Sequence, residues 1–157
     1  MNDRTPRLTI LTTCIIALVL TVAPLPPWPA ILRPAFLVLV LLYWSIMYPR
    51  AAGMMLAFIG GLTIDVFQGS LLGEHALALT FLSYLAVRFN LLMRAKPLFE
   101  QSLFVFAALM VYETLLWMLD GWSGHPLTTP ARWAHTATGA LIWPLVVGIL
   151  GRFQPSR

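Results

Sequence analysis

Charge is what this sequence has least of. Only 10% of its 157 residues are charged and 59% are hydrophobic, whereas soluble domains carry roughly 25% charged residues. With a mean hydropathy of +0.82, that scarcity excludes an ordinary soluble domain and implies an integral membrane protein. Cysteine is nearly absent too. Cys14 stands alone in an apolar run, which excludes an intrachain disulfide and leaves the redox compartment unread. Histidines are three, His75, His125 and His135, scattered where a metal site needs three or four clustered ligands. There is no phosphate-binding glycine loop, no G-x-G-x-x-G and no H-E-x-x-H, and no internal repeat or low-complexity tract. The net charge of +4 could suggest nucleic acid in a soluble protein. Here the charges are sparse and sit at segment ends, so they report topology and no nucleic-acid partner is expected.

What is present is a series of apolar runs. The first, residues 8–22, follows Arg4 and Arg7. It resembles a secretory signal, but no A-x-A site follows and Pro24, Pro26 and Pro27 disfavour cleavage, so a retained first helix is expected. "PLPPWPAILRP" (24–34) cannot stay helical and is expected to turn with Trp28 at the membrane interface. A second span is expected over 34–48, with Pro34 suited to a first helical turn. It is short for a bilayer that needs about 20 residues. Further spans are expected over 51–68, 74–92, 98–119 and 132–150, making a single all-α membrane domain of six helices. With the N-terminus inside, the inner segments hold Arg4, Arg7, Arg50, Arg88, Arg94, Lys96, Arg152 and Arg157, and the outer loops only Arg33 and Arg132. That asymmetry predicts both termini inside.

Three ionisable residues fall within the outer halves of these spans: Asp65, Glu113 and His135. A charge at the bilayer centre costs about 2.5–3.5 kcal/mol on insertion scales, and less near the interface. Asp65 has three readings: an aspartate reaching for water, a buried pair with Arg33 at the end of the neighbouring span, or a transport or catalytic group. His75, His125 and His135 lack a spaced partner and read as interfacial. In "GGLTIDVFQGSLLGEHAL" (60–77), Gly61, Asp65, Gly69 and Gly73 recur every four residues. Small residues at that spacing let helices approach closely in lipid. Gly69 and Gly73 are expected to bracket a turn that needs dihedrals other residues resist. The tryptophans at 28, 44, 117, 122, 133 and 143 read mostly as interface markers, Trp143 beside a kinking Pro144.

"GWSG" (121–124) raises a protease. Six spans and G-x-S-G also describe rhomboid intramembrane proteases, whose serine pairs with a histidine on the sixth helix. There the serine begins a buried helix, whereas Ser123 is followed by "HPLTTP", which cannot start one. The nucleophile elbow G-x-S-x-G fails because position 125 is histidine. No catalytic set, metal or cofactor is expected.

The order "PLPPWP", "LRPAFLVLVLLYW", "GGLTIDVFQGSLLGEHALALTFLSYL", "ALIWPL" resembles the rod shape-determining protein MreD family, from Pro24 to Pro144. The positions that carry the resemblance include Arg33, Pro34, Gly61, Asp65, Gly69, Gly73, Trp143 and Pro144, with Glu113 standing where some relatives have aspartate. The resemblance implies a non-enzymatic scaffold in the bacterial inner membrane that helps direct side-wall peptidoglycan synthesis. Its implied partners are MreC, the actin-like MreB, and RodA with its penicillin-binding transpeptidase; self-association is left open. It further implies a fold similar to the substrate-binding components of energy-coupling-factor transporters. The competing reading is therefore a solute-binding transporter subunit, with the serine protease third.

Overall fold

A computed structural model describes residues 4–23, 34–124 and 133–153, with side chains from residue 7. Among them there are seven helices and no strand: α1 (Arg4–Val22), α2 (Phe36–Met47), α3 (Met54–Gln68), α4 (Glu74–Arg88), α5 (Asn90–Arg94), α6 (Leu98–Ser123) and α7 (Ala134–Gly151). α6 and α7 are long and apolar enough to cross a membrane, while residues 7–22, α2 and α3 form shorter apolar helices. Trp28, Arg33, His125, Arg132 and Arg157, and the turns around them, lie outside the described residues.

Successive long helices run antiparallel, and side-chain contacts fix the pairing. Thr21 Oγ1 accepts the Leu37 N–H at 3.2 Å, and Trp44 Nε1 donates to Thr13 Oγ1 at 2.9 Å. The start of α2 therefore meets the end of α1, and one of its open N-terminal donors finds an acceptor there. Buried α2 is the centre of the bundle: nine of its twelve residues are buried. Ser45 Oγ lies 2.9 Å from Ser83 Oγ on α4. At its far end, Arg94 of α5 donates to the carbonyls of Ile46 and Met47, two acceptors that the helix leaves open. A guanidinium also suits the negative end of the helix dipole.

Trp44 and Trp143 are core residues, which corrects their reading as interface markers. Both are fully buried beside Tyr43. A buried indole must place its N–H. Trp44 uses Thr13, and Trp143 donates to Gln101 Oε1 at 3.3 Å. By contrast, Trp117 and Trp122 are exposed.

Several boundaries differ from the expected ones. Pro34 and Ala35 precede α2, so the proline is outside the first turn. Residues 51–53 form the turn before α3. The run 74–92 is broken at Phe89 (φ −100°, ψ 8°), where α4 ends and the short α5 begins. Helix α6 reaches Ser123, four residues beyond Leu119, because Gly124 can take the left-handed conformation (φ 75°) that closes it and donate to Asp120 O. α7 runs on through Pro144.

Candidate functional site

The turn joining α3 to α4 holds the most concentrated polar structure in the described bundle. Gly69 ends α3 in the left-handed conformation (φ 65°), and its N–H bonds the Asp65 carbonyl. Ser70 N–H reaches the same carbonyl at 3.2 Å. Gly73, also left-handed (φ 105°), is the N-cap of α4. A glycine N-cap has no side chain with which to satisfy the first N–H groups of its helix.

Asp65 supplies what Gly73 lacks. Its Oδ2 accepts from Gly73 N–H at 2.8 Å and, more weakly, from Ala76 N–H at 3.4 Å. Oδ1 accepts from His75 N–H at 3.0 Å, from the Ser70 hydroxyl at 2.9 Å and from His75 Nδ1 at 2.8 Å. Asp65 is 1% exposed, and through these bonds a single group from α3 caps α4 from outside that helix. Negative charge at a helix N-terminus also complements the dipole. The acceptor roles place the His75 ring proton on Nδ1.

Gly61 makes this reach feasible. It lies one turn before Asp65 on the same face of α3, and a Cβ there would meet Ala76 Cα at 2.3 Å and Ala76 N at 2.5 Å. The two backbones touch, which brings the N–H groups of α4 within range of Asp65.

The family model described as rod shape-determining protein MreD matches residues 2–152. The chain belongs to the MreD family. A rod shape-determining protein MreD from Haemophilus influenzae is 38% identical over 150 residues, which cover 93% of this chain and 90% of that one. No solved structure matches the chain. Membership makes it a membrane protein with a role in determining rod cell shape.

The other candidate residues of this MreD-family chain are placed as follows. Arg33 lies outside the described residues, and the described partners of Asp65 are His75, Ser70 and the backbone of α4. His75, read from sequence as interfacial and without a spaced partner, is one of the aspartate's two described side-chain partners, with Ser70. The ten-residue separation spans a turn, so periodicity within one helix could not reveal it. Glu113 is buried on α6, next to Tyr112, whose ring centroid lies 6.4 Å from that of His75. His135 is half-buried in the first turn of α7, and both Glu113 and His135 make contacts of their own. Trp143 and the Gly139 backbone line the α6–α7 contact, where a Cβ on Gly139 would meet Leu109 Cδ1 at 2.5 Å. Ser123 closes α6, its hydroxyl donating to Asp120 O at 3.0 Å. That is the C-terminal end of a helix, opposite to the protease arrangement. Among the described residues no three His, Cys, Asp or Glu side chains gather as a metal site.

Proposed function

We propose that this chain is a non-enzymatic scaffold of the rod complex in the bacterial inner membrane. It links MreC and the MreB cytoskeleton to side-wall peptidoglycan synthesis by RodA and its penicillin-binding transpeptidase. The observation that carries the reading is the family match across nearly the whole chain. The geometry supports it, because the most polar constellation is spent on structure. Both Asp65 oxygens accept donors that hold the α3–α4 hairpin rigid. A rigid hairpin with apolar outer side chains such as Met55, Val66 and Leu77 presents a defined face to a single partner helix.

In this reading α1, α2, α3, α4 with α5, α6 and α7 form six spans with both ends of the chain inside. A likeness to energy-coupling-factor substrate-binding components is part of the same proposal. The test is mild-detergent purification of the tagged protein from its own host, with mass spectrometry of what stays bound. Stoichiometric MreC with wall-synthesis enzymes is expected. A nucleotide-binding transporter module in their place would overturn the scaffold in favour of a solute-binding subunit. Gly61→Leu, which breaks the α3–α4 contact, is expected to weaken MreC capture while the protein still inserts; undiminished capture would count against the packing argument.

A further inference from the structure

The two ends of the bundle differ sharply in charge. All six basic side chains described (Arg7, Arg50, Arg88, Arg94, Lys96 and Arg152) lie at the end where α4 passes through α5 into α6, and a single carboxylate, Glu100, accompanies them, for a net charge of +5. Asp65, Glu74 and Asp120 lie at the opposite end.

Residues 88–99 concentrate this contrast. Met93 is buried and Arg94 is fastened to the end of α2, so the inner side of α5 is fixed in place. Phe89 is anchored as well, its ring 6.1 Å from that of Phe104. Leu91 of α5 and Phe99 at the start of α6 are each 80% exposed, and Leu92 and Leu98 are exposed as well. Exposed Arg88 and part-exposed Lys96 flank these apolar side chains. Lys96 also meets Glu100 at 2.7 Å across an exposed pair, a contact of little strength.

Apolar side chains interleaved with cations at a helix end suit the boundary between acyl chains and phosphates. The leucines and phenylalanine enter the hydrocarbon while the long basic side chains extend to headgroup depth. We propose that residues 88–99 form a docking surface for anionic phospholipid headgroups, with Arg88 and Lys96 contacting the phosphates. This rests on the reading that the helices span a bilayer, and not on any protein partner.

The test uses the full chain in nanodiscs of equal phosphatidylglycerol and phosphatidylcholine, with native mass spectrometry counting the lipids retained. Both leaflets carry the same mixture, so the outcome is independent of which end faces the cytoplasm. The wild type is expected to retain phosphatidylglycerol preferentially. Removing either Arg88 or Lys96, the two cations set among the exposed apolar side chains, is expected to lower that preference by about fivefold, since one basic residue in contact with an anionic surface is worth about 1 kcal/mol. Arg88→Gln with Lys96→Gln should therefore bring it close to parity, and Arg50→Gln, on another loop, should leave it nearly unchanged. Equal retention of the two lipids by the wild type would overturn the proposal, as would an unaltered preference in the double variant. A loss from Arg50→Gln as large as from the double variant would also overturn it, by showing diffuse charge at that end. Failure to enter nanodiscs at all would overturn the spanning reading itself and the proposal with it.

Discussion

Gly61→Ala adds one carbon where the structure has no space for it. The new Cβ would stand 2.3 Å from Ala76 Cα, 2.5 Å from Ala76 N and 2.7 Å from the His75 carbonyl carbon, all backbone atoms. No rotamer change relieves such contacts, so α3 and α4 must part by about 1 Å to restore ordinary van der Waals separation. The same parting lengthens the bonds to Asp65. Gly73 N–H at 2.8 Å and His75 N–H at 3.0 Å would move to about 3.8 and 4.0 Å, past hydrogen-bonding distance. Overpacking costs about 1–3 kcal/mol, and losing one bond to a charged acceptor about 1.5–3 kcal/mol. Counting only one of the two bonds as lost, the combined destabilisation is therefore about 2.5–6 kcal/mol, a large share of a typical folding free energy of about 5–15 kcal/mol. The control is one residue away. A Cβ on Gly60 would meet only Leu41 Cδ1 at 3.4 Å and Leu37 Cδ2 at 3.6 Å, both ends of flexible side chains. Gly60→Ala is expected to be neutral or up to about 1 kcal/mol more stable, as alanine outranks glycine in a helix. Unfolding both variants with increasing dodecyl sulfate in mixed micelles, followed by far-ultraviolet circular dichroism, compares them directly. Equal stability of the two variants would refute the backbone contact and the geometry built on it.

Asp65→Ala leaves several buried donors without an acceptor and is expected to cost at least about 3 kcal/mol in the same assay, since each orphaned group costs about 1–3 kcal/mol. His75→Ala removes the ring bond but keeps the main-chain bonds, so its cost should stay near 1.5–3 kcal/mol, about that of one bond to a charged group; a loss equal to that of Asp65→Ala would mean that the ring, not the helix N-terminus, holds the carboxylate. Ser123→Ala, which removes a hydroxyl bonded to its own helix, should leave rod shape intact when it replaces the wild-type gene in its host, and rounded cells would revive a catalytic role for the serine.

The α3–α4 turn was legible because its glycines recur around a lone acid, and tight turns and close helix approach both demand glycine. The aspartate's partners were harder to see for a physical reason. A search by charge looks for a cation, whereas the described partners of Asp65 are largely main-chain N–H groups, which every residue but proline carries and which leave no mark in a sequence. Trp44 and Trp143 illustrate a second blind spot. An indole suits the membrane interface or a core that accepts its N–H equally well, and the acceptors are Thr13, 31 residues away, and Gln101, 42 away. Nothing local separates the two fates. The break at Phe89 has neither glycine nor proline to announce it, and Arg94, whose guanidinium reaches back to α2, shows its role only once both helices are in place.

The capping of α4 by α3 bears on how the chain is made. A nascent α3 carries a carboxylate that its own helix cannot satisfy, so on its own it is a poor candidate for release into lipid. Its donors arrive quickly, because only residues 69–73 separate the two helices, and Ala76 follows Asp65 by eleven residues, about 0.5–2 s of synthesis. In the six-span arrangement proposed above, α3 and α4 are expected to enter the bilayer as a preassembled pair, and the order in which ribosome and insertion machinery deliver this hairpin becomes part of how the protein reaches its native form.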